Sequence, residues 1–73
     1  MAVVGKIIKE HQNKINIREG EVLADVVFNK EFFQLRTYAM GDFDRKNGSK
    51  QNIQLTKSKA IELREFLDIF INK

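Results

Sequence analysis

The sequence Phe32-Phe33-Gln34-Leu35-Arg36-Thr37-Tyr38 decides the fold of this 73-residue chain. Successive side chains of a β-strand point to opposite faces of the sheet, so this stretch predicts one apolar face and one mixed face. The apolar face carries Phe33, Leu35 and Thr37, and the mixed face carries Phe32, Gln34, Arg36 and Tyr38. We therefore expect a strand that covers a core with one side and meets solvent with the other.

The mixed face has the residue types that bind nucleic acid. Aromatic rings stack on bases, a guanidinium binds phosphate, and an amide forms hydrogen bonds with base edges. An ordinary exposed strand with cross-strand aromatic pairs is the alternative interpretation, because such pairs are common in sheets.

Basic charge is concentrated around this stretch. The chain has a formal net charge of +3, and residues 30–59 contain seven basic and three acidic residues, which gives that segment +4. Residues 1–29 are neutral overall, and the last fourteen residues carry −1. The excess positive charge lies beside Phe32, Tyr38 and Phe43, where it favours a polyanionic partner.

Size and cysteine content limit how the fold is stabilised. Residues 1–73 form one domain with a small core, because a chain this short buries only about 60% of its unfolded surface. Without cysteine, neither a disulfide nor a thiolate metal site adds stability, which leaves oligomerisation. The sequence has no apolar run long enough to span a membrane; we expect no signal peptide, and a cytoplasmic protein of the bacterial cytoplasm or nucleoid.

Motifs for catalysis or cofactor binding are missing from the sequence. His11 is the only histidine, and no nucleophile pattern surrounds it. The loop Asp42-Phe43-Asp44-Arg45-Lys46-Asn47-Gly48 resembles a calcium loop, but Lys46 stands at a ligand position and Ile53 stands where a bidentate glutamate belongs. Four scattered glycines form neither a P-loop nor a dinucleotide motif. We expect no enzyme activity, no cofactor and no metal.

The remaining patterns predict strands followed by one helix. Asn29-Lys30 is the expected hairpin turn, and residues 39–51 are expected to form a long, charged hairpin arm. Thr56 is placed to cap a helix that runs to about residue 71. Strand character is found in residues 3–9, 14–18, 21–28 and 32–38 and at Ile53 and Leu55, with His11-Gln12-Asn13 as a turn or bulge.

The predicted helix is apolar over too wide an arc for one packing surface. Its apolar residues spread over roughly 200°, about twice the stripe needed to cover one sheet. We expect a homodimer through this helix, since an exposed patch of this kind promotes aggregation. A frayed tail that exposes residues 69–71 is the alternative. The expected interface residues are Leu63, Phe66, Leu67, Ile69 and Phe70.

Leu35, Arg36 and Tyr38 end one predicted strand, and Ile53, Leu55 and Thr56 lead into the predicted helix. Through these two short motifs, the stretch from about residue 22 to residue 70 resembles the transcriptional coactivator positive cofactor 4 family of single-stranded DNA-binding proteins, bacterial or phage type. Two departures are Asn52, where the family usually has glycine, and Ala60, where it often has a large aromatic residue. The resemblance implies a curved antiparallel four-stranded sheet with a C-terminal helix (α+β), a dimer formed through the helices, and preference for single-stranded DNA.

The leading hypothesis is a homodimer that binds single-stranded DNA with little sequence preference, in transcription regulation or in DNA replication and repair. The alternatives are single-stranded RNA binding, and a regulatory module that docks on transcription or replication proteins. The candidate nucleic-acid-binding residues are Lys30, Phe32, Gln34, Arg36, Tyr38, Phe43, Arg45, Lys46, Lys50 and Asn52.

Overall fold

A computed structural model describes residues 2–9 and 20–73 of the chain. It contains a four-stranded sheet followed by a C-terminal helix, which confirms the predicted α+β class. His11 and the predicted strand at residues 14–18 lie outside the described residues. The elements are β1 (Val3–Lys9), β2 (Glu21–Phe28), β3 (Phe32–Thr37), β4 (Gln51–Thr56) and α1 (Lys57–Ile71).

The sheet is mixed, so the expectation of a wholly antiparallel sheet is wrong at one of its three pairings. The strand order is β1-β2-β3-β4, in which β1 runs parallel to β2 and the other neighbours are antiparallel. A parallel pair needs a connection of about a dozen residues, and residues 10–20 provide that length. Alternation of side chains is the same for both strand directions, which is why it did not reveal this pairing.

Gly5 allows β1 to approach β2. The register between these strands shifts between Val4 and Lys6, so Gly5 sits at a bulge. A Cβ atom on Gly5 would lie 2.6 Å from Cβ of Glu21, closer than two carbon atoms can pack. The lack of a side chain is therefore what permits this contact.

The turn between β2 and β3 is centred one residue later than expected. Asn29 N donates to Phe32 O at 3.0 Å, so the two residues inside the turn are 30 and 31. The Asn29 side chain accepts hydrogen bonds from the N–H groups of Glu31 and Phe32 and stabilises the turn. This turn places Asp25 opposite Arg36, whereas a two-residue turn at Asn29-Lys30 would have placed it opposite Gln34.

The two faces of the sheet have different partners. One surface of the sheet packs against α1, and we call it the helix face. A cleft between this face and α1 is lined by Phe33, Leu35 and Leu55 of the sheet and by Leu63 and Leu67 of the helix, among other residues. We call the opposite surface the loop face, because the connection between β3 and β4 returns over it. The loop face carries Leu23, Asp25, Val27, Phe32, Gln34, Arg36, Asn52 and Gln54, and Tyr38 follows β3 on the same side.

The buried apolar cluster lies on the loop face, and Val22 and Ala24 of β2 are also buried, on the helix face. The buried apolar cluster consists of Ile8, Leu23 and Tyr38. Thr56 caps α1 as predicted, because its hydroxyl accepts a hydrogen bond from Lys59 N at 3.4 Å. No residue of α1 is buried. Within residues 2–9 and 20–73, no helix has the length and apolar character needed to cross a membrane.

Candidate nucleic-acid interface

Asp25 is the centre of the loop face. Its side chain is fully buried in β2, opposite Arg36 of β3. Arg36 Nε donates to Asp25 Oδ1 at 2.7 Å, and Arg36 Nη2 donates to Asp25 Oδ2 at 2.8 Å. This is a two-point contact between a planar guanidinium and a carboxylate, which fixes the orientation of both groups.

Two further donors complete the environment of this carboxylate. The Tyr38 hydroxyl donates to Asp25 Oδ2 at 2.8 Å, and Arg45 Nη1 donates to the same oxygen at 3.0 Å. A buried carboxylate is tolerated only when it is paired and hydrogen-bonded, and here two guanidiniums and one hydroxyl meet that condition. We call Asp25, Arg36, Tyr38 and Arg45 the Asp25 cluster; it brings two guanidiniums and one carboxylate together on the loop face.

The cluster shifts the pKa values of its two acids in opposite directions. Burial of Asp25 would raise its pKa, but hydrogen bonds from Arg36, Tyr38 and Arg45 outweigh burial and hold the pKa below its ordinary value of 3.8. Burial of Tyr38, together with its bond to the Asp25 carboxylate, raises the pKa of the phenol above 10.0. At neutral pH the carboxylate is therefore charged and the phenol is neutral.

The connection between β3 and β4, expected as a long, charged hairpin arm, folds back on the sheet. Asp42 is buried, and its carboxylate accepts hydrogen bonds from Lys46 N at 3.0 Å and Asn47 N at 3.2 Å. Arg45 has a φ of +61°, a left-handed conformation that costs a non-glycine residue of order 1 kcal/mol. Its ion pair with Asp25 attaches the middle of this loop to the sheet.

The expected solvent exposure of Tyr38 is wrong. Only 6% of Tyr38 is exposed, because its ring packs with Ile8 and Leu23 and its hydroxyl is bonded to Asp25. Alternation placed the ring on the correct face, but it could not show that a loop returns over that face. Of the two aromatic side chains that residues 32–38 place on the loop face, Phe32 is the one that solvent reaches, with 41% of it exposed.

Amide side chains line β4 beside the cluster. Asn52 lies opposite Arg36, and Gln54 lies opposite Gln34, so all four side chains are on the loop face. Asn52 and Gln54 are exposed, and β4 is the edge of the sheet. Gln54 was absent from the sequence prediction, although its spacing of two residues from Asn52 places it on the same face.

The other predicted residues surround this surface. Lys30 is exposed at the β2–β3 turn, and Lys50 is exposed just before β4. Lys46 is an exposed loop residue whose Nζ lies 3.5 Å from Asp44 Oδ2. Phe43 is half-buried in the same loop. The structure thus brings Arg36, Tyr38 and Arg45 into one cluster around Asp25, and it leaves the lysines at the periphery.

The helix presents a separate apolar surface. The five residues expected at the dimer interface are all exposed; they are Leu63, Phe66, Leu67, Ile69 and Phe70. Phe66 and Phe70 are 69% and 71% exposed. The cleft of about 350 Å³ between α1 and the helix face is lined mainly by apolar side chains and is open to solvent.

The chain matches none of the protein-family models, curated proteins or solved structures with which it was compared.

Proposed function

We propose that the protein binds single-stranded DNA through the loop face, with little sequence preference. One observation carries the proposal. The exposed ring of Phe32 and the amides of Gln34, Asn52 and Gln54 share a face with the two guanidiniums of the Asp25 cluster.

The arrangement of these groups favours a single strand over a duplex. A ring at the surface of a sheet stacks on a base only if the base is unpaired and turned outward, as bases of a single strand are. Gln34, two residues from Phe32 on β3, and Gln54, opposite Gln34 on β4, are the amides placed to reach the polar edges of the stacked base and its neighbour. Since amides both donate and accept hydrogen bonds, they tolerate many bases, which supports the low sequence preference.

Electrostatics provides the remaining binding energy. Arg36 and Arg45 bring two guanidiniums to the loop face, and the exposed Lys30, Lys46 and Lys50 extend positive charge around it. Each lysine that neutralises a phosphate releases counterions, so affinity falls as salt rises. Residues 30–56, which precede α1, contain five basic and three acidic residues, so this part of the chain carries +2.

A homodimer through α1 belongs to the same proposal. The seven large apolar residues of α1 are each 44–71% exposed. A contiguous exposed apolar surface of this kind is typical of a protein–protein interface. Because α1 lies on the opposite side of the sheet, a dimer through this surface leaves both loop faces accessible.

The resemblance to the positive cofactor 4 family supports the choice of DNA and of the dimer. The residues that carry the resemblance are Leu35 and Arg36 of β3, Tyr38 just after it, and Ile53 and Leu55 of β4. A role in transcription regulation, or in DNA replication and repair, in the cytoplasm follows from that likeness.

A titration with a fluorescent oligonucleotide tests the proposal. A single strand of about twenty nucleotides is long enough to cross the loop face of a dimer. Duplex DNA and RNA of the same sequence serve as competitors, at two salt concentrations. We expect tight, salt-sensitive binding that duplex DNA does not displace. Absent binding, or equal displacement by the duplex, would refute the proposal and favour a protein partner; stronger competition by RNA would change the assigned nucleic acid.

A further inference from the structure

We propose that Asp25 is a positioning residue of the DNA-binding surface. Asp25 does not contact the DNA itself. It holds the guanidiniums of Arg36 and Arg45 in the arrangement that binds DNA, and through Arg45 it also holds the loop between β3 and β4. The DNA-binding part of this inference rests on the proposed function, whereas the attachment of the loop is testable in the free protein.

The position of Asp25 supports a positioning role over a direct one. Its side chain has no exposed surface, so an incoming phosphate cannot reach it. Arg36 and Arg45, which donate to it, have side chains that are 23% and 20% exposed. Asp25 therefore acts on the surface through the orientation of these two partly exposed side chains.

The loop conformation depends on this contact. Arg45 lies 20 residues from Asp25 along the chain and adopts a left-handed backbone conformation that glycine would favour. The bond between Arg45 Nη1 and the buried carboxylate offsets this unfavourable geometry. Loss of the carboxylate removes that bond and leaves the strain, so the loop should leave the sheet more often.

The sign of the effect separates positioning from simple charge. Asp25 is a negative charge beneath a surface proposed to bind a polyanion, so charge alone predicts that its removal tightens binding. Positioning predicts that its removal weakens binding, because the arginines and the loop lose their fixed arrangement. Asp44 is the matched control, since it is exposed in the same loop and carries the same charge.

The experiment compares the wild type with Asp25→Asn and Asp44→Asn. We expect Asp25→Asn to lose at least about tenfold in affinity for the single-stranded oligonucleotide. We expect Asp44→Asn to bind as tightly as the wild type or more tightly. In the free protein, hydrogen exchange at the amides of Lys46, Asn47 and Lys50 should be faster in Asp25→Asn than in the wild type. If Asp25→Asn binds as tightly as Asp44→Asn, the positioning role is refuted.

A second variant covers the case in which Asp25→Asn does not fold. Tyr38→Phe keeps the ring and the formal charge but removes one donor to Asp25. We expect a loss of a few-fold in affinity and faster exchange of the loop amides. Unchanged affinity together with unchanged exchange in Tyr38→Phe would overturn the inference.

The two readouts distinguish this inference from the proposed function. If the wild-type protein does not bind single-stranded DNA, the proposed function fails. The attachment of the loop by Asp25 is then judged by amide exchange alone. Exchange that is the same in the wild type and in Asp25→Asn refutes the attachment, whatever the outcome of the binding titration.

Discussion

Tyr38 donates its hydroxyl hydrogen to Oδ2 of Asp25 at 2.8 Å, and both side chains are buried in the loop face. Ionisation of Tyr38 would place a phenolate against a carboxylate inside the protein. Burial and this neighbouring charge therefore raise the pKa of Tyr38 above 10.0. Folded protein keeps this proton more tightly than unfolded protein, so the stability that Tyr38 contributes is present below pH 10 and is lost as pH rises through the folded pKa.

An absorbance titration of the phenolate tests this relationship. The chain has one tyrosine and no tryptophan, so the signal reports Tyr38 alone. We expect a midpoint above pH 10.0 in the folded wild type and a midpoint closer to 10.0 in Asp25→Asn, which lacks the neighbouring charge. Circular dichroism at each pH verifies that the protein is folded. A wild-type midpoint at the ordinary value, or one that Asp25→Asn leaves unchanged, would contradict the geometry.

Replacement of Phe32 by alanine should weaken binding of single-stranded DNA. If the ring stacks on a base, its loss costs about 1–3 kcal/mol of binding free energy. Phe28→Ala is the matched control, because Phe28 is also exposed but lies on the helix face, where it stacks on Phe33 at a centroid distance of 5.8 Å. Equal losses in the two variants, measured by fluorescence anisotropy on folded protein, would remove Phe32 from the site.

Lys46 should contribute through charge alone. We expect Lys46→Ala to lower affinity and to reduce the slope of log affinity against log salt by up to about 1. Lys59→Ala is the control: Lys59 is an exposed lysine in an ion pair with Glu62, just as Lys46 pairs with Asp44, but it lies on α1. Salt titrations of both variants measure the difference. An unchanged slope in Lys46→Ala would show that this lysine meets no phosphate.

The elements of the fold were predictable because their signals are local. Alternation over residues 32–38 assigned the side chains to the correct faces, and Thr56 marked the start of α1, but the buried cluster with Tyr38 lies on the mixed face, which was expected to meet solvent. The direction of β1 was not predictable, since alternation does not encode it and the connection lies in residues 10–20. The sequence also did not reveal that the loop after β3 folds over the sheet.

The Asp25 cluster was missed for a different physical reason. The partners of Asp25 are Arg36, Tyr38 and Arg45, which follow it in the sequence by 11, 13 and 20 positions, so no local pattern contains these contacts. A signal was nevertheless present, because an aspartate between apolar residues of a strand requires a buried partner. Centring the turn on residues 30 and 31 would have placed Arg36 opposite Asp25 and revealed the first contact.

A charge placed on the outer surface of α1 should break the proposed dimer. Phe70 is 71% exposed, and burial of its ring is worth about 3 kcal/mol per protomer. We expect sedimentation to show a dimer for the wild type and a monomer for Phe70→Glu at micromolar concentration. Asp68→Asn changes an exposed polar residue of the same helix and should remain dimeric. A wild-type monomer, or an unaffected dimer in Phe70→Glu, would contradict the interface.

The central claim is that single-stranded DNA lies on the loop face. The most direct test is an NMR titration, in which an oligonucleotide of about twenty nucleotides is added to isotope-labelled protein. The side-chain amides of Gln34, Asn52 and Gln54 are reporters built into that face. We predict that their signals, and the backbone amides of the loop between β3 and β4, shift with added DNA while those of α1 do not. Shifts confined to α1 and the helix face, or no shifts at all, would contradict the account.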